Sequence, residues 1–258
     1  MSAWLISLEG TEAGHQLALV LALLAAFLHA VFGAMQKGRF DPWVMRGAID
    51  FSYFAIATPF ALFVVPWPEP HMWPIFAGVF VIHFVYKYLQ ASAYQRGAYT
   101  VVYPVVRGMG PLFTVIGAGY IFGETYTAMQ WGGVLLLVGG IFGLALYNYL
   151  TTLTDRRALL DALGLAVLTG AMVAAYTTYD AWGIRATADP FTFLAWFFML
   201  DGLAMPYFGW KRWKTITPRP PVVALFKRGV AGAFIAYVSF GSVMLATRLD
   251  KVGEAAGL

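Results

Sequence analysis

Gln16-Leu17-Ala18-Leu19-Val20-Leu21-Ala22-Leu23-Leu24-Ala25-Ala26-Phe27-Leu28-His29-Ala30-Val31-Phe32-Gly33-Ala34-Met35-Gln36 contains no Asp, Glu, Lys or Arg. As an α-helix this stretch is about 30 Å long, the thickness of a bilayer's hydrocarbon core. It is too long, starts too late and lacks the basic leader that a signal peptide needs. Seven further stretches read the same way, at roughly Gly47–Pro66, Trp73–Tyr94, Tyr99–Phe122, Met129–Tyr149, Leu159–Trp182, Pro190–Trp210 and Leu225–Thr247. The expected fold is therefore an all-α, polytopic membrane helix bundle of about eight spans.

Composition agrees. Of the 258 residues, 60% are hydrophobic and only 12% charged, too little charge to cover a soluble domain of this size. The mean hydropathy is +0.69. The absence of cysteine excludes disulfides, thiolate metal sites and cysteine nucleophiles. The formal charge of +4 does not point to nucleic acid, because the basic residues sit in short loops between apolar runs. Lys37, Arg39 and Arg46 follow the first span, Arg96 the third, and Arg156 and Arg157 the fifth. Lys211, Arg212, Lys214, Arg219, Lys227 and Arg228 surround the loop before the eighth. The alternate loops are nearly free of them, so the N-terminus is expected outside and the basic loops in the cytoplasm. Trp43, Trp67, Trp73, Trp131, Trp182, Trp210 and Trp213 fall near span ends, as an interfacial belt requires.

Two segments recur. Lys37-Gly38-Arg39-Phe40-Asp41-Pro42-Trp43 resembles Arg185-Ala186-Thr187-Ala188-Asp189-Pro190-Phe191, and the run Ala91–Ala98 resembles Leu245–Val252. The repeating unit then holds five spans. An odd number inserts the second copy from the opposite side, the inverted arrangement that secondary transporters use for alternating access. The units expected are 1–150 and 151–258, the second with three spans.

Ala93-Tyr94-Gln95-Arg96-Gly97-Ala98-Tyr99-Thr100-Val101-Val102-Tyr103-Pro104, then Pro111, Phe122-Gly123-Glu124, Trp131-Gly132-Gly133 and Gly139-Gly140 resemble the third-to-fifth-span signature of the EamA-like branch of the drug/metabolite transporter superfamily. The resemblance implies ten spans in two five-span repeats, and export of small metabolites or amino acids. Against that pattern the second repeat is expected to be truncated at Leu258, two spans short.

An ionisable group inside a span is costly and marks a cavity or a partner. His83, Lys87, Gln90 and Tyr94 lie at i, i+4, i+7 and i+11 on one helical stripe, with Tyr86 beside it. Tyr99, Tyr103 and Arg107 form a second stripe, on a helix interrupted by Pro104, Gly108, Gly110 and Pro111. One reading is a cytoplasm-accessible cavity in which Lys87 and Arg107 attract an anion while Tyr86 and Tyr103 cover an apolar body. The alternative is a structural pairing of those cations with Asp180 or Asp201. Tyr176, Tyr179 and Asp180 from the sixth span and Tyr237 from the eighth complete the expected substrate site. His29 and Asp201 are candidates for ion coupling, Asp201 with a locking ion pair as its rival. Asp50 reads as an interfacial or capping residue, and His15 and His71 have no assigned role.

Enzyme signals are lacking. The four histidines show no H-E-x-x-H spacing, there is no Walker motif, and Gly117–Gly123 is one residue too long for a dinucleotide fingerprint. No metal or cofactor is expected. Gly139-x-x-x-Gly143 offers a small-residue seam for helix contact, within the chain or in a homodimer. The expected function is a secondary transporter, an exporter of small amphipathic or anionic metabolites such as amino acids, in a bacterial inner membrane. Its rivals are a membrane protein that is non-transporting or needs a partner, and an intramembrane lipid-modifying enzyme.

Overall fold

The structure, a computed structural model, describes residues 2–36, 40–151 and 156–250. Their regular structure is entirely helical: α1 (Ser2–Ser7), α2 (Glu12–Gln36), α3 (Pro42–Phe63), α4 (Met72–Arg96), α5 (Tyr99–Phe122), α6 (Ala128–Thr151), α7 (Arg156–Ala186), α8 (Pro190–Asp201), α9 (Met205–Thr215) and α10 (Val222–Leu249). Among the described residues, seven segments are long and apolar enough to cross a membrane, with α8 and α9 together forming one of them. The eighth expected span, α3, has the length at 22 residues. Its hydropathy falls short because it carries Arg46 and Asp50 into the bundle interior.

The boundaries correct the sequence reading in two places. Arg46, taken for a loop residue, lies one turn inside α3, because Asp41 and Pro42 start that helix earlier than expected. The expected single span Pro190–Trp210 is two helices, broken at Gly202-Leu203-Ala204. Lys37, Arg39 and the chain from Lys251 to Leu258 lie outside the described residues, and with them part of one member of each expected repeat pair.

α4 and α5 both pack along α7, α10 runs along α2, and α3 rests on α8, α9 and α10. The two expected units therefore interdigitate in one bundle. α3 meets α9 at a pair of glycines so close that a side-chain carbon on Gly47 would lie 3.0 Å from the Gly209 Cα. At the starts of α3 and α8 the same device recurs. The Asp41 carboxylate accepts from the amides of Trp43 and Val44, and Asp189 from that of Phe191. Each Asp is followed by proline at the first helical position, a strong N-terminal combination.

The two caps sit at opposite ends of the bundle. Asp41 bonds Arg212 of α9 at 2.7 Å, and Trp43 bonds Gln95 at the end of α4. Asp189 accepts from Ser2, beside the 66–71 loop, where Glu69 accepts from the Ala188 amide. The basic segments around Arg46, Arg96 and Lys211–Lys214 thus converge on one end.

Candidate functional site

Pro104 and Pro111 deprive α5 of two backbone donors, and Gly108 and Gly110 remove side chains between them. This thinned stretch forms one wall of a half-open cavity of about 320 Å³, whose other walls are α2, α6, α7 and α10. The size suits a small metabolite. Most of the lining is apolar: Ala22, Ala25 and Ala26 from α2, Leu137 and Ile141 from α6, and Val173 and Phe240 opposite. The polar groups are few. They are Arg107, Tyr103 and Thr114 of α5, His29 of α2, and Tyr176 and Thr177 of α7.

Arg107 lies eight residues beyond Tyr99, about 12 Å into the helix. Among the described residues no carboxylate and no hydrogen-bond acceptor reaches its guanidinium. Its electrostatic neighbours are the phenols of Tyr176, Tyr103, Tyr86 and Tyr94. His29 is held through Nδ1, 3.0 Å from the Ala25 carbonyl and 2.7 Å from Ser239 Oγ. Its Nε2 is buried and has no partner among the described residues. Tyr103 donates to the His29 carbonyl at 3.3 Å and stacks on Tyr99, whose hydroxyl donates to the Gly33 carbonyl at 2.7 Å.

A second polar assembly lies beyond Tyr176 and Phe240. Lys87 of α4, 1% exposed, is 2.6 Å from Asp50 Oδ2 and 2.7 Å from Asp201 Oδ1. It also donates to the hydroxyl of Tyr53 and, at 2.8 Å, to the main-chain oxygen of Asp201. Arg46 Nε is 2.8 Å from Asp50 Oδ1, and Tyr53 donates to Asp201 Oδ2 at 2.7 Å. His83 Nε2 is 2.8 Å from Asp180 Oδ2, while its Nδ1 faces Asp201 Oδ1 at 3.8 Å. Five ionic side chains and a histidine from α3, α4, α7 and α8 thus converge in the interior. No group of His, Asp and Glu among the described residues is arranged to hold a metal.

The EamA-like transporter family matches residues 16–146, just over half of the chain. The chain belongs to that family. With its apolar helices this makes the EamA-like chain an integral membrane protein. It is 35% identical over 72 residues to the uncharacterized protein y4nH of Sinorhizobium fredii (strain NBRC 101917 / NGR234), a match covering 28% of this chain and 62% of that one. The chain thus spans less than two thirds of that relative's length. A protein of known crystal structure superposes with a TM-score of 0.65 over 95% of this chain and 86% of its own. At 16% identity that likeness speaks to the fold alone.

The EamA-like chain distributes the expected site residues between two places. Tyr103, Arg107, Tyr176 and His29 line the cavity. His83, Lys87, Asp180 and Asp201 belong to the ionic assembly instead. Lys87 was expected beside Arg107 as a cavity cation, but two carboxylates claim it, so it follows the structural-pair alternative. Tyr86 lies between the two places, its ring 4.8 Å from that of Tyr176 and its hydroxyl accepting from Gln90 at 2.7 Å. Tyr179 packs against Gly78 and Trp182, and Tyr237 donates to the Tyr53 carbonyl. Neither lines the cavity.

Asp50 is not interfacial: it is fully buried between Arg46 and Lys87. Arg46, Asp50 and Tyr53 are the residues that sequence reasoning missed. Their spacing at i, i+4 and i+7 was the available signal.

Proposed function

We propose that this chain is a secondary transporter of small amphipathic solutes carrying an anionic group, with Arg107 as the charge that receives them. The observation that carries the reading is the contrast between cations. Arg46 and Lys87 are paired with carboxylates, whereas Arg107 stands in an apolar cavity with no acidic partner among the described residues. A charge taken out of water without a counter-ion costs several kcal/mol, on the order of 3–5 by the effect of breaking buried pairs. An anion entering the cavity supplies the missing charge, and the alanines, Val173 and Phe240 cover its apolar part. Hydroxyls of Tyr103 and Thr177 and the buried, unpartnered Nε2 of His29 would orient it.

Amino acids fit this description, and export across a bacterial inner membrane by exchange between inverted halves remains the expected direction. The recurrence of the Asp-Pro cap at opposite ends supports such a relationship. Lipid chemistry has less support, since among the described residues no carboxylate lines the cavity to work as a general acid or base beside His29.

The test is transport in proteoliposomes with amino acids and short-chain carboxylates, for the full chain and for Arg107→Gln. Flux lost in Arg107→Gln, with the protein still monodisperse, supports the reading. Flux at the normal rate in that variant, or equal flux of analogues lacking the anionic group, overturns it.

A further inference from the structure

The anion cavity makes no use of the ionic assembly beside it, and that assembly does not balance. Asp50, Asp180 and Asp201 bring three negative charges against Arg46 and Lys87, so with a neutral His83 one negative charge is left over. An uncompensated charge is costly in a membrane-embedded interior. One proton removes the excess.

The geometry tells the carboxylates apart. Asp50 is held by both cations, and Asp201 by Lys87 and the Tyr53 hydroxyl. Asp180 has His83 alone, and its Oδ1 is buried without a partner among the described residues. The other groups facing the pair are Lys87 and Tyr86 on α4, Tyr176 and Tyr179 on α7, and Asp201 on α8. Arg46, Asp50 and Tyr53 of α3 lie behind them, and Arg107 of α5 lies across Tyr176 and Tyr86. From α10 comes the apolar Phe240.

We propose that the His83–Asp180 pair is a proton-binding site that takes up one proton per chain through the anion cavity. Phe240 and Tyr176 form the partition. Phe240 borders the cavity and two small voids beyond it, one touching Asp180 and the other touching Arg46, His83 and Asp201. The Tyr176 ring packs 4.6 Å from that of His83. A proton entering from the cavity thus needs only a turn of Phe240 to reach the pair. There it binds a lone pair of His83 or of the Asp180 carboxylate, and no other bond changes.

Uptake turns the net charge of the assembly from minus one to zero. An anion on Arg107 is then no longer repelled from beyond the partition, so anion and proton favour each other's binding. This coupling, unlike the proton site itself, rests on the Arg107 reading of the cavity.

Infrared pH-difference spectroscopy of the full chain, with ring-labelled histidine and no ligand, tests the site directly. In a His15→Gln/His71→Gln background, which lacks the two imidazoles outside the bundle interior, a carboxyl or imidazole transition of the buried pair is expected between pH 5 and 9, lost on adding Asp180→Asn and kept on adding His29→Gln. Absence of any such transition in that background overturns the proposal before Asp180 is changed. So does its survival in Asp180→Asn. A second titration adds acetate as the anionic probe. Coupling predicts that the transition moves to higher pH, and that Arg107→Gln abolishes this movement while keeping the ligand-free transition. If acetate moves nothing although the ligand-free transition is present, the coupling is overturned and the proton site stands.

Discussion

Lys87 Nζ lies 2.8 Å from the main-chain oxygen of Asp201 and 2.7 Å from that residue's carboxylate. Asp201 ends α8, where the helix breaks before α9, so the lysine of α4 satisfies both the last carbonyl and the side chain at the break. Backbone freed inside a membrane must find such a partner. Lys87→Met strips Asp50 and Asp201 of their shared cation and leaves the break uncapped. It should destabilise the protein by roughly 3–5 kcal/mol, read as a lower unfolding midpoint in detergent. Adding Asp201→Asn removes one stranded charge and should restore part of the loss. A Lys87→Met protein as stable as the native one would deny the lysine its holding role.

The α3–α9 contact predicts a steric failure of a different kind. At Gly47 a new side-chain carbon would meet Gly209 Cα and the Met205 carbonyl, both at 3.0 Å. Main-chain atoms cannot swing aside as a side chain does. Gly47→Val should force the helices apart at a cost on the order of 1–3 kcal/mol. Gly132→Val is the control, since nothing lies within 4 Å of a side-chain carbon there. Equal unfolding midpoints for the two variants would show that α3 and α9 do not cross at this pair.

Much of this was legible beforehand, and the part that was not has a physical cause. The stripe His83, Lys87, Gln90 pointed inward because helical spacing fixes a face, and all three are buried. Spacing does not say what that face meets. The partner of Lys87 lies 114 residues away at Asp201, and only the tertiary path decides between a cavity and an ion pair. Arg46 reads as a loop residue only if α3 begins at Gly47, well past its actual start at Pro42. Read as the cap it is, Asp41-Pro42 would have put Arg46 and Asp50 one turn apart inside α3. The break after Asp201 was foreshadowed by Gly202 and Pro206, yet an unbroken apolar run outweighed them.

Acid should loosen the end of the bundle that holds Glu69. This carboxylate lies in the loop before α4 and accepts from the Ala188 amide at 3.1 Å and from the Thr187 hydroxyl at 3.4 Å. Backbone hydrogen bonds, first from its own amide and then from Ala188, hold its pKa below the usual glutamate value. A carboxyl depressed in the folded state contributes stability above its unfolded pKa and loses it as pH falls through the folded one. Protection of the amides at residues 187–189, taken against their intrinsic exchange rate at each pH, should therefore fall below about pH 4.3 more than elsewhere in the loops. Glu69→Gln should exchange faster already at neutral pH and respond less to acid. The contribution is small, because the group is largely exposed. Protection at 187–189 that is flat with pH would remove the clamp.

The two Asp-Pro caps offer a matched comparison, since the same residue pair starts a helix at each end of the bundle. Replacing either aspartate by alanine leaves helix-start amides without their acceptor, at a cost of about 1 kcal/mol. The ends differ in what else is lost. Asp41 also holds Arg212 at 2.7 Å, whose side chain is 37% exposed, so the ion pair adds no more than about 1 kcal/mol and fades with salt. Among the described residues Asp189 adds only the hydroxyl of Ser2 at 2.9 Å. Asp41→Ala should thus be the more destabilising at low ionic strength, and the two should converge as salt rises. Unfolding midpoints of both variants in low and high salt check this. A gap that persists unchanged in high salt would mean that Asp41 does more than cap α3 and pair with α9.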